Sequence, residues 1–152
     1  TANRDGSLQQ CIQIDELGLL HSQLYVGDTR DEQPRFFASW IAAPIDGFLR
    51  YLMKLSTAFG PLRSKPMLLR AAVSLPANAR ILWLSDAFEV KPLLDTRIEL
   101  LRETCLPSDL EATVDGLTRE CVRRILWAGG YAWASDEQGM DRAMSYLLTG
   151  RR

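Results

Sequence analysis

One histidine, three cysteines and nineteen carboxylates limit the chemistry open to this chain of 152 residues. His21 is the only histidine, so any Ser-His-Asp or Cys-His relay would have to run through it. It stands beside Ser22 at the start of a strand-like stretch, which reads as an exposed polar side chain rather than a base. A multi-histidine metal site is excluded by the same count. Cys11, Cys105 and Cys121 are far apart, with no CxxC pair, so a zinc knuckle or thioredoxin-type site has no support. An odd number of scattered thiols also argues against an extracellular disulfide scaffold and for buried thiols in a reducing, cytoplasmic setting.

The carboxylates need geometry that spacing alone cannot supply. Asp86 and Glu89 follow the strand-like run Arg80–Leu84. With Arg80 they are the first candidates for an enzyme working by carboxylate and arginine without a histidine relay. Their plainer reading is solvated loop acids. The segment GDTRDEQP, Gly27 to Pro34, is acidic but lacks the spacing of a calcium loop. GxxxxGK[ST], GxGxxG and GxSxG are all absent. No cofactor is implied. Arg63, Lys65 and Arg70 form a modest basic stretch that Pro61 and Pro66 make rigid in places; it reads as a solvated connector.

The most distinctive local feature is Arg123-Arg124-Ile-Leu-Trp127-Ala-Gly-Gly-Tyr131-Ala-Trp133. Two arginines fall in the last turns of a helix, where they suit its dipole. Three aromatics surround a glycine break. Arginine beside Trp and Tyr is the composition of protein-interface hot spots, and of base-stacking surfaces. Arg123, Arg124, Trp127, Tyr131 and Trp133 are therefore the candidate partner-binding residues. The competing structural reading has Trp127 and Trp133 plugging the junction between two helices while the arginines face water.

These residues need elements to hold them. Ile12 and Ile14, then Leu20, Ser22, Leu24 and Val26, alternate as an antiparallel hairpin. Phe36 to Ile41 is apolar on both faces and suggests a buried strand, with Pro44 marking a helix entry. From Ile45 the residues Phe48, Leu49, Leu52, Leu55 and Phe59 recur at helical spacing until Gly60-Pro61. Met67–Leu75 and Leu93–Leu101 fit strand or short helix; Arg80–Leu84 fits a strand. Ser108-Asp-Leu-Glu111 has the capping-box pattern, followed by Leu110, Val114, Leu117, Cys121 and Ile125 at helical spacing. Gly116 weakens that helix, and Gly129-Gly130 stops it. A second box, Ser135 to Gln138, opens a last helix through Met140, Met144 and Leu147 or Leu148.

Composition bounds the rest. At 47% hydrophobic and 24% charged, the chain is too apolar for a disordered segment, and its length fits one domain. The expected organisation is a flexible lead-in over 1–10 and a single α+β domain over 11–150: a small, mainly antiparallel sheet packed by helices, with a helical C-terminal portion. A net charge of −1 gives no global attraction for nucleic acid or anionic lipid. No 18-residue apolar run is present, so no membrane span is expected. Function is then expected to be non-catalytic: a protein-interaction or regulatory domain, part of a larger protein or assembly, with a protein partner. The rivals are the carboxylate–arginine enzyme and a nucleic-acid accessory domain.

Overall fold

The computed structural model describes residues 10–14, 20–24, 34–58, 60, 64–83 and 96–149. Strands β1 (Gln10–Ile14) and β2 (Leu20–Leu24) pair antiparallel, with Ile14 opposite Leu20, as the alternation predicts. Next come β3 (Arg35–Phe37), α1 (Ala38–Ala58), β4 (Met67–Ser74), β5 (Arg80–Leu82) and β6 (Arg97–Cys105). Helices α2 (Leu110–Ala128) and α3 (Glu137–Thr149) complete the order, each preceded by a short 3-10 turn. No helix among the described residues is long and apolar enough to cross a membrane.

The α+β class and the helical C-terminal portion hold. Among the described residues, however, the strands divide into three two-stranded sheets: β1–β2 and β4–β6 are antiparallel and β3–β5 is parallel. A parallel pair needs a long crossover. Here α1 and β4 lie between its two strands in sequence. Of the expected lead-in, residues 1–9 lie outside the described residues, and Gln10 already belongs to β1.

The stretch Phe36–Ile41 is strand only as far as Phe37; the helix starts at Ala38 and runs through Pro44. Ala38, Ile41, Ala42 and Leu49 are buried at helical intervals, and Trp40 is exposed. A helix therefore hides this segment better than a strand would. Pro44 costs α1 one ladder donor toward the Trp40 carbonyl, which the packed face offsets. The Pro76–Ala79 turn is closed by the Ala79 N–H on the Pro76 carbonyl at 3.2 Å. Asn78 there takes a left-handed φ of 63°, which asparagine tolerates better than most residues.

Helix α2 is the floor of the core. Leu110, Val114, Cys121, Val122, Ile125 and Leu126 are buried along one stripe. It packs on α1, on β6 and on β5. The β6 contact depends on a bulge. Ala71 pairs with Leu101 and Ala72 with Glu99, so Leu100 is the extra residue. A bulge breaks the two-residue alternation, and Leu100 and Leu101 are consecutively buried against the helices. The Leu100 carbonyl accepts from the Cys121 thiol of α2 at 3.7 Å. Burial pushes that thiol up to about 12, keeping it protonated and able to donate.

The α1–α2 contact carries a buried carboxylate. Asp46 is 2% exposed and accepts from Arg50 Nε at 3.1 and 3.2 Å and from Thr118 Oγ1 of α2 at 3.1 Å. Arg50 also reaches Asp115 of α2 at 2.7 Å. Hydrogen bonds to Asp46 and then Asp115 raise its pKa further, so the guanidinium stays charged. A buried charge is tolerated only when paired and hydrogen-bonded, and here the pairing ties two helices together.

Neither expected capping box forms. Pro107 favours an early turn because its fixed φ suits a helix start. Ser108 thus falls inside the 3-10 turn Pro107–Asp109, its hydroxyl donating to Asp109 Oδ1 at 3.1 Å, and no side chain caps α2. At α3 the cap lies one residue later than expected. Asp136 Oδ2 accepts the Gly139 N–H at 3.1 Å, while the Ser135 hydroxyl donates to the Ala132 carbonyl at 2.6 Å.

Two outcomes follow from these buried groups. Asp46→Ala strands the Thr118 hydroxyl, while half-exposed Arg50 keeps Asp115. The expected loss is about 1–3 kcal/mol in denaturant unfolding, below the roughly 3–5 of a fully buried broken pair. An unchanged unfolding midpoint would contradict the proposed tie. Cys121 should resist thiol reagents in the native protein while half-buried Cys105 reacts first. An unfolded thiol ionises near 9. The native Cys121 holds its proton to about 12. Between those values the unfolded state binds fewer protons, so stability falls as pH rises. That slope should be shallower in Cys121→Ala.

Candidate functional site

The helix break is built by two glycines. Gly130 takes φ +84°, its N–H bonds the Trp127 carbonyl at 2.9 Å, and the Tyr131 N–H bonds the Leu126 carbonyl at 3.0 Å. This is the Schellman arrangement, in which a left-handed residue satisfies the last carbonyls and reverses the chain. The reversal swings Tyr131 against β5. Its hydroxyl accepts the Trp83 N–H at 2.9 Å and donates to the Ile81 carbonyl at 3.2 Å. Tyr131 is thus a strap between the break and the end of β5.

The 3-10 turn Ala132–Ser135 then presents Trp133. Its ring meets Tyr131 (centroids 5.8 Å, 61°) and Trp83 (5.8 Å, 69°), and Trp83 in turn meets Tyr146 of α3 (5.6 Å, 59°). Inclined contacts of this kind let the positive edge of one ring face the negative face of the next. Trp133 is held from behind by α3. A Cβ on Gly139 would lie 2.6 Å from the Trp133 carbonyl oxygen and 2.9 Å from its ring. Trp133 is 38% exposed and Tyr146 55%. On the other side of the break Trp127 is 59% exposed. The reading in which both tryptophans plug the junction holds only in part: Trp133 packs there on Tyr131, Trp83 and Gly139 with part of its ring exposed, whereas Trp127 faces outward, and Ala134, Met140 and Ala143 are the fully buried residues of this region.

The two arginines part company. Arg123 bonds Glu137 of α3 at 2.6 Å and Glu120 at 3.3 Å, and with Arg119, which holds Glu137 and Asp141, it clamps α3 to α2. Arg124 pairs only along its own helix among the described residues, with Glu120 at 2.9 Å. The hydrogen bond that it donates to Glu120 raises its pKa, so it stays charged. An exposed pair of this type is worth ~0.3–0.5 kcal/mol and exchanges readily.

Of the five candidate residues, Tyr131 and Arg123 are thus engaged in holding the fold, and Trp127, Trp133 and Arg124 are presented outward. Trp83 and Tyr146 were not singled out. Tyr146 lies seven residues after Gly139, on the same side of α3, and that spacing was the available signal. Trp83 belongs through a contact distant in sequence. Asp86 and Glu89 lie outside the described residues, as do the side chains of His21 and Cys11. Arg80 opens β5, with its Nε buried and without a hydrogen-bond acceptor. No group of three His, Cys, Asp or Glu among the described residues is placed to hold a metal ion.

Gly139→Ala should displace Trp133, costing about 1–3 kcal/mol as overpacking does and altering tryptophan near-UV circular dichroism. An unchanged spectrum and melting temperature would mean that the close approach does not fix the ring. No protein-family model, curated protein or solved structure matches this chain.

Proposed function

We propose that the chain is a non-catalytic protein-interaction or regulatory domain, acting within a larger protein or assembly through the surface around the α2–α3 break. The observation that carries this reading is the outward placement of large aromatics on a braced frame. Trp127 and Trp133 are exposed although ample apolar core lies beneath them. Isolated exposed hydrophobics are ordinary, but Trp133 belongs to a four-ring group whose members are fixed by hydrogen bonds and packing. Rigid Trp and Tyr side chains give contact area at little entropic cost, which is why they dominate interface energies. Arg124 adds a cation whose present partner is exchangeable.

The protein partner would gain apolar contact from Trp127 and Trp133 and a charge-assisted hydrogen bond from Arg124. Native mass spectrometry of the purified full chain would identify a co-purifying protein. Trp127→Ala and Trp133→Ala should each weaken its binding by about tenfold or more, the range of interface hot spots. Arg124→Ala should have a smaller effect. Tyr131→Ala is a poor probe because it also cuts the strap to β5. Unchanged affinity in both tryptophan variants, with far-UV circular dichroism preserved, would sink this surface.

A further inference from the structure

The ribbon β4–β6 turns one face to the helices and the other to solvent. On the solvent face Leu68 stands opposite Thr104, Arg70 opposite Arg102 and Ala72 opposite Glu99, and all six are exposed. Leu68 is 58% exposed, so a large apolar side chain sits in water at one end of the face. Arg70 and Arg102 beside it are like charges in register, which repel. Arg70 has Glu99 at a loose 3.9 Å. Arg102 has no ion-pair partner among the described residues. Glu103, the next carboxylate along β6, faces the other way. It pairs with buried Leu69 on the helix side, where it adds to the stronger influence of Glu120 in raising the Arg124 pKa.

Among the described residues this face is one carboxylate short, and its layout fits a particular way of supplying one. Leu68 and Arg70 are two residues apart on β4, so their side chains emerge about 6.5–7 Å apart. An extended peptide laid along the ribbon presents its own side chains at the same interval. An apolar residue resting on Leu68 therefore brings the side chain two positions on to the level of Arg70 and Arg102. A carboxylate there meets both guanidiniums, and charge-assisted bonds of this kind are the strong ones. Thr104 and Ala72 are small, which lets another backbone lie close. A nucleic-acid strand fits less well. Its regularly spaced phosphates would meet Glu99 as well as the arginines, and they would make no use of Leu68.

We propose that the solvent face of β4–β6 is a docking surface for an acidic segment of a protein partner, extended, with an apolar residue and a carboxylate two positions apart. Leu68 takes the apolar side chain, and Arg70 and Arg102 together take the carboxylate. Glu99 holds the affinity down by repelling the same acid. The surface uses none of the residues presented at the α2–α3 break.

Isothermal titration of the full chain with a capped synthetic peptide tests this. The peptide carries leucine followed two and four positions on by glutamate, with serine between. It should bind, and more weakly as salt rises. Arg70→Glu or Arg102→Glu should each weaken binding by about tenfold or more, as should glutamine for glutamate in the peptide. Leu68→Ser should weaken it too, while Glu99→Gln should tighten it by removing the repelling charge. The double variant Arg70→Glu/Arg102→Glu should instead prefer a peptide with lysine in place of glutamate. All these positions are exposed, so circular dichroism should report an intact fold. No binding at any accessible peptide concentration overturns the proposal. So does binding that the arginine reversals or the glutamine peptide leave unchanged, binding that Glu99→Gln weakens, or tighter binding of oligothymidylate through the same arginines.

Discussion

Helix α2 must satisfy four neighbours with one apolar stripe, and most of the described architecture follows from how it does so. Nineteen residues long, it meets α1 near Thr118, β6 near Cys121, β5 at its glycine end, and α3 along its flank. Apolar burial supplies the non-directional part of this adhesion. Direction comes from a polar contact at each junction: a carboxylate toward α1, a thiol toward β6, a tyrosine strap at β5, and an arginine clamp to α3. Each of these contacts fixes a register that greasy surfaces alone would leave free to slide.

These junctions differ in kind because the neighbours differ. Strand β6 offers the carbonyl of its bulged residue, which meets the weak donor of a protonated cysteine. Helix α1 meets α2 through side chains, since its ladder uses most of its backbone carbonyls. There a buried side chain, Asp46, must act, and it requires both a hydroxyl and a guanidinium to offset its desolvation. The bulge also reconciles β6 with α2. By turning two successive leucines inward it widens the apolar contact at one level.

Much of this was legible in the sequence wherever a signal was local. The hairpin announced itself through alternation, and α2 and α3 through helical spacing with glycine or polar punctuation. The C-terminal stop at Gly129-Gly130 was readable because a left-handed residue needs glycine at this point. Non-local information was not legible. Phe36–Ile41 is apolar on both faces, which suits a strand or a buried helix equally, and only the neighbouring elements decide between them. The capping boxes failed because Pro107, and the turn ending at Ser135, began helix-like turns before the serines could serve as caps. The division of labour between Arg123 and Arg124 was invisible too. It rests on which of two adjacent arginines faces Glu137, a residue on the next helix.

The same division decides what the aromatic surface has left to offer. Tyr131 has spent its hydroxyl on β5, and Arg123 has committed Nη2 to Glu137 of α3 and Nη1 to Glu120 of its own helix. Ring contacts at 5.6–5.8 Å hold Trp83, Tyr131, Trp133 and Tyr146 together. What remains is broad apolar area, one exchangeable guanidinium and the indole N–H groups. Chemistry on a small substrate requires reacting groups held around it at defined positions. Contact with another macromolecule requires only fixed apolar anchors with a few polar groups at their margin. The fixed parts of this surface are its apolar anchors, and its best-placed polar groups are already committed to holding them still.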